Sequence, residues 1–250
     1  MLCACLVVAA VAVPASAATT HYCFGKKATI VGTPGNDMAD MYEGMGADLT
    51  GTNGPDIIVG LGGKDSIYGA GGNDYICAGP GNDGWDRLDG LASIEGGPGD
   101  DWVSGGDGVD TLQGSSGGRD HMYGDKGNDS LTDGQGYHEY SFPDSSGGDW
   151  LFGGPGHDRL DTTYGNDYLN GGLGDDRLGL TPQEADDLDT CCEPYPYDVG
   201  SDEYIGGGGH DRLAGKDFIN GNDLIHGDLG LDACLGDAGD QIRGCEELVE

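Results

Sequence analysis

Positive charge is scarce in this 250-residue chain: 11 Lys and Arg stand against 45 Asp and Glu, a formal net charge of −34. Such a balance excludes nucleic acid as a partner, because phosphates are held by Lys and Arg. Divalent cations are the natural counter-charge. Long apolar runs are also missing. The run Leu6–Val13 is far short of the roughly 20 apolar residues that cross a bilayer. Large apolar residues are few, with 4 Phe and 3 Trp, so self-repulsion in a free chain meets little opposition. No C-x-x-C spacing exists for thioredoxin-like chemistry, and the six His are scattered without metal spacing. Composition alone describes a disordered acidic coil.

Glycine is what the chain has in abundance, 52 residues of 250, and it is placed in register. From Gly51 to Gln113 a nine-residue unit recurs seven times, as in Gly51-Thr-Asn-Gly-Pro-Asp-Ile-Ile-Val59 and Gly60-Leu-Gly-Gly-Lys-Asp-Ser-Ile-Tyr68. Position eight is apolar throughout: Ile58, Ile67, Ile76, Trp85, Ile94, Val103 and Leu112. Position six is Asp, with one lapse at Ala92. A second clean block runs from Asp144 to Gly179, with Leu151, Leu160, Leu169 and Leu178 at position eight. Irregular stretches fall at 41–50 (Asp48 as turn acid), 133–146 (His138 in the Asp place), 180–200, and 215–226, which reads as two six-residue units. Random acidic coils do not hold such a register. Tight turns need glycine's access to φ > 0, and the three residues after each Asp suit a short strand with position eight inward.

The G-G-x-G-x-D-x-U-x pattern resembles the RTX (repeat-in-toxin, hemolysin-type) calcium-binding nonapeptide-repeat proteins, in a stand-alone secreted form. The resemblance implies an all-β fold: a calcium-stabilised parallel β-roll, a two-sided solenoid with 18 residues per coil. About eleven coils would make a rod on the order of 50 Å long at a strand spacing of about 4.8 Å. It also implies calcium ions between same-side turns of successive coils, held by carbonyls and paired carboxylates. Transferred to this sequence, the ligands are Asp37, Asp56, Asp65, Asp74, Asp83, Asp101, Asp110, Asp120, Asp129, Asp149, Asp158, Asp167, Asp176, Asp202, Asp211 and Asp232. With 18 residues per coil, Asp65 pairs with Asp83, Asp83 with Asp101, and Asp56 with Asp74. Asp149/Asp167 and Asp158/Asp176 follow the same rule, and Ala92 leaves a gap on one edge. Asp101/Asp120 and Asp110/Asp129 lie 19 apart, so a bulge absorbs one residue.

The remaining segments give an organisation: signal peptide at 1–17, capping segment 18–31 with a starting strand at 28–31, repeats 32–179, inserted loop 180–196, repeats 197–243 and tail 244–250. Leu6–Val13 followed by Ala15-Ser16-Ala17 supports export. Six cysteines remain after such a signal, and 15 pairings are possible. Proximity points to Cys234 with Cys245; Cys23 with Cys77 would then tie the N-terminal segment to the roll, leaving the adjacent Cys191 and Cys192 to pair with each other or with another chain.

Catalytic motifs lack their context. Ser116 in Gly114-Ser-Ser-Gly-Gly118 has no strand-to-helix elbow, and His138-Glu139 meets Phe142 where a zinc protease needs its second His. The reading is a non-enzymatic, secreted, extracellular protein that folds on calcium and serves as a structural or adhesive rod. Its partners are calcium ions and an unidentified cell-surface or matrix component, with no nucleic acid and no transmembrane segment. The alternative is a secreted enzyme or effector whose activity is carried by the 180–200 loop.

Overall fold

The computed structural model describes residues 19–37, 49–84, 94–115, 117–133, 147–162, 165–179, 201–215, 223–236 and 240–248. Each repeat ends in a strand whose side chains alternate outward and inward, as in Tyr75-Ile76-Cys77. Alternate repeats sort into two ten-stranded sheets, parallel throughout, one from Ile30–Val31 to Gln241–Arg243 and the other from Leu49–Thr50 to Glu247–Leu248. Ten strands per sheet, against the eleven coils expected, make a stack on the order of 43 Å at about 4.8 Å per strand. The fold is an all-β parallel roll.

The core is two facing files. Ile58, Ile76, Val103, Met122, Leu151 and Leu169 come from the first sheet, and Ile67, Ile94, Leu112, Leu131, Leu160 and Leu178 from the second, all fully buried. So thin an interior buries little apolar area for the backbone it orders. Tyr204 is the large exception. Its ring fits because Gly179 and Gly215 lie against it, where any Cβ would press on the ring. Glycine is equally required where coils touch: a Cβ on Gly108 (φ 155°) would overlap the carbonyl oxygen of Gly81.

The register corrects the uniform 18-residue coil. Ile58 pairs with Ile76, 18 residues on, but Ile76 pairs with Val103 and Ile67 with Ile94, both 27 apart. After Gly84 the described residues resume at Ile94, which takes the inward place. Residues 85–93, including Trp85 and Ala92, lie outside the described residues. The physical reason is in the sequence: Arg87-Leu-Asp-Gly-Leu-Ala92 stands where a turn needs G-G-x-G-x-D. Longer steps recur at Ile30/Ile58, His121/Trp150, Tyr168/Glu203 and Glu203/Leu224. Asp48, His138 and the 180–196 loop likewise lie outside the described residues.

Ahead of the roll, Tyr22–Cys23 and Lys26–Lys27 form an antiparallel hairpin, a feature the sequence reading lacked. Cys23 is disulfide-bonded to Cys77, and Cys234 to Cys245, the two pairings expected from the sequence. Cys191 and Cys192 lie outside the described residues. The starting strand at 28–31 is present as Ile30–Val31, paired with Ile58–Val59. No helix among the described residues is long and apolar enough to cross a membrane.

Candidate metal centre

Parallel stacking places position six of every coil on one of two straight edges. The backbone N–H of each aspartate donates to Oδ1 of the aspartate one coil on. One ladder runs Asp56, Asp74, Asp101, Asp120, Asp149, Asp167, Asp202, Asp223, Asp240. The other runs Asp37, Asp65, Asp83, Asp110, Asp129, Asp158, Asp176, Asp211, Asp232 and closes on Glu246. Distances are 2.6–3.0 Å along both, lengthening to 3.3 Å only between Asp223 and Asp240.

The second carboxylate oxygen has a different environment. In Asp65, Asp74, Asp83, Asp101, Asp110, Asp129, Asp158, Asp176, Asp211 and Asp232 the Oδ2 atom is buried without a hydrogen-bond partner. The first glycine of the same turn makes room for it: a Cβ on Gly69, Gly96, Gly105 or Gly124 would lie only 2.5–2.6 Å from that oxygen. At the heads of the ladders the situation differs. Asp37 and Asp56 have Oδ2 satisfied by the N–H groups of Thr33 and Thr52 at 2.6 and 2.7 Å.

Burying carboxylates in files raises their pKa. Desolvation is the largest cause at Asp74, raised to about 6; the N–H of Asp56 pulls the other way and the Asp56 charge pushes it up again. Asp83 and Asp101 are raised to about 7, and Asp129 to about 8, with desolvation again leading. An orphaned buried oxygen beside a glycine-lined space, repeated along two edges, fits a hard cation that takes several oxygen ligands. Calcium is such a cation, since it accepts irregular cages of carboxylates and carbonyls.

All sixteen aspartates singled out from sequence stand on the two ladders, but not with the partners expected for all of them. Asp83 adjoins Asp110 rather than Asp101, and Asp74 adjoins Asp101. Ala92 therefore leaves no gap among the described ladder positions. Asp56/Asp74, Asp65/Asp83, Asp101/Asp120, Asp110/Asp129, Asp149/Asp167 and Asp158/Asp176 adjoin as the sequence predicts.

Four acidic residues were missed. Asp223, Asp240 and Glu246 extend the ladders, and each stands two residues before an apolar one, Ile225, Ile242 and Leu248, so the D-x-U spacing was a usable signal. Asp133 is the fourth. It occupies a turn's first position, where glycine is the rule, and brings a carboxylate oxygen within 4.8 Å of Asp149 and Asp167, all three buried.

A parallel roll edged by stacked aspartates defines a class of repeat protein built around cation-binding turns. Segments 50–84, 89–118, 115–136 and 144–178 match the RTX calcium-binding nonapeptide repeat, and the chain belongs to that family. It is a calcium-binding repeat protein. No curated protein and no solved structure matches it.

Proposed function

We infer that this is an extracellular, non-enzymatic rod whose two aspartate ladders hold calcium and whose folding depends on it. The observation that supports this reading best is the row of buried, unpartnered Oδ2 atoms along both edges. Left without a cation, each costs desolvation free energy that the narrow core has little capacity to offset. The ladder carboxylates would supply charge, and turn carbonyls the further oxygens. Asp133, Asp149 and Asp167 together offer the densest carboxylate set. Two disulfides fit an oxidising compartment, and Leu6–Val13 with Ala15-Ser16-Ala17 fits export through a cleaved leader. A continuous stack of repeats with no element outside the roll, hairpin aside, among the described residues suits a structural or adhesive spacer.

The test is a calcium titration of the mature chain followed by circular dichroism. β structure should appear in the range of about 10⁻⁴–10⁻³ M typical of extracellular calcium modules, and magnesium should substitute poorly. A full β spectrum at neutral pH in excess chelator would refute the reading.

A further inference from the structure

Away from the ladders, the outward face of the first sheet carries a file of rings. Trp102 stacks on His121 with centroids 4.2 Å apart, and His121 on Trp150 at 4.6 Å with 4° between planes. Tyr75 lies beside Trp102 at 6.1 Å and 22°. These four occupy one register on consecutive strands. Two residues before Tyr75, Trp102 and His121 stands a polar row, Asn73, Asp100 and Arg119. Asn73 Nδ2 donates to Asp100 Oδ2 at 3.3 Å, the Asp100 N–H donates to Asn73 Oδ1, and the Arg119 N–H donates to Asp100 Oδ1. Between the two rows runs a groove of about 290 Å³.

We propose that this groove binds a neutral oligosaccharide, with the ring edges against the sugar's C–H surface and Asn73, Asp100 and Arg119 on its hydroxyls. The polar row offers both donors and acceptors, which a hydroxyl-bearing ligand answers in kind. Its two formal charges, Asp100 and Arg119, cancel, so the groove is neutral within a chain of net charge −34. A peptide adding as a strand would need free backbone N–H groups, and those of Asp100 and Arg119 are already engaged by side chains.

The ring wall is also fixed in advance. Phe24 of the hairpin packs edge-on against Trp102 at 5.6 Å and Tyr75 at 6.1 Å, the Lys26 ammonium sits 3.9 Å over the Tyr75 ring, and the Cys23–Cys77 disulfide holds the hairpin there. Rings already ordered lose little entropy on binding. The volume lies at the lower end for small-molecule sites and suits a short stretch of sugar rings.

The experiment is an array of neutral glucan, xylan, mannan and chitin oligosaccharides, with polyanionic glycans and proteins beside them, probed in excess calcium, with calorimetry on those retained. Trp102→Ala and Arg119→Ala should each weaken binding at least tenfold while keeping the calcium-induced β spectrum. Arg119 is exposed, so its variant carries the test if loss of Trp102 disturbs the sheet. Retention of no neutral glycan, retention of polyanionic glycans or proteins alone, or unchanged affinity in Arg119→Ala would overturn the proposal. Reading the spectrum in parallel separates that outcome from a failure to fold on calcium.

Discussion

Acid should do to this chain, in part, what calcium does. Eight ladder aspartates, Asp74, Asp83, Asp101, Asp110, Asp129, Asp158, Asp176 and Asp211, have pKa values raised from 3.8 to between about 6 and about 8, chiefly by desolvation. A carboxyl whose folded pKa lies above its unfolded one stabilises the fold when protonated. The contribution is complete below the unfolded value and is lost as pH rises through the folded value. Each pH unit corresponds to about 1.4 kcal/mol. Asp74 alone, halved for solvent screening, thus disfavours the ionised roll by roughly 1.5 kcal/mol. Even halved for solvent screening, the eight together oppose folding at neutral pH by on the order of 10 kcal/mol, comparable to the whole net stability of a typical domain. In excess chelator, far-ultraviolet circular dichroism should therefore show β structure near pH 5 that disappears between about pH 6 and 8. Calcium at pH 8 should restore it with no proton release, because the unfolded chain's carboxyls are already ionised; added to the acid-folded roll near pH 5, it should release protons as ladder carboxyls ionise. A chelated chain whose spectrum is the same at pH 5 and pH 8 would show that the buried carboxylates do not control folding.

Three substitution experiments probe the register and the anchors. Asp83→Asn should raise the calcium midpoint severalfold and reduce cooperativity in the dichroism titration. Asp107→Asn, which removes the same charge from an exposed partner of Lys126, should leave both unchanged; equal effects would return control to net charge. Deleting residues 85–93 joins Gly84 to Ile94 and restores an 18-residue coil, so the midpoint and β signal should survive; collapse of the signal would support the uninterrupted register instead. Replacing Cys23 and Cys77 together by Ser opens a link spanning 54 residues and should lower stability in calcium by about 4 kcal/mol, read from denaturant unfolding.

Much of the roll is legible in the sequence because two physical demands repeat. Position eight must be apolar to enter a single-file core, as Ile58 to Leu178 are, and position six must be Asp to accept the N–H of the coil before it. Periodicity cannot, however, show which units join the stack. Residues 85–93 are one unit long, so Ile94 fits position eight whether or not they are counted, and only Arg87 and Leu88 in glycine places and Ala92 in the Asp place tell against them. Asp223 and Asp240 were hidden because they follow the preceding ladder aspartates, Asp211 and Asp232, by 12 and 8 residues rather than nine, so 215–226 is one lengthened step and not two six-residue units, although each keeps its apolar residue two places on. The hairpin was illegible for another reason: its two-residue strands are too short to show alternation, and Lys26 and Lys27 are both exposed.

The equal step lengths on the two edges carry a consequence for how such a chain can change. Between Asp74 and Asp101, and between Asp83 and Asp110, the count is 27; across the 180–200 segment it is 35 on both ladders. Across each of these longer steps the ladder resumes in register, so the number of residues between rungs is free of the repeat's arithmetic. Had a nine-residue excursion instead been counted as half a coil, every later turn would have moved to the opposite edge. The stack therefore behaves like a ruler with interchangeable tabs: foreign sequence can be grafted at 85–93 or 180–200 while the graduations beyond stay in place, and the individuality of the molecule can be rewritten there without renegotiating its metal-bearing edges.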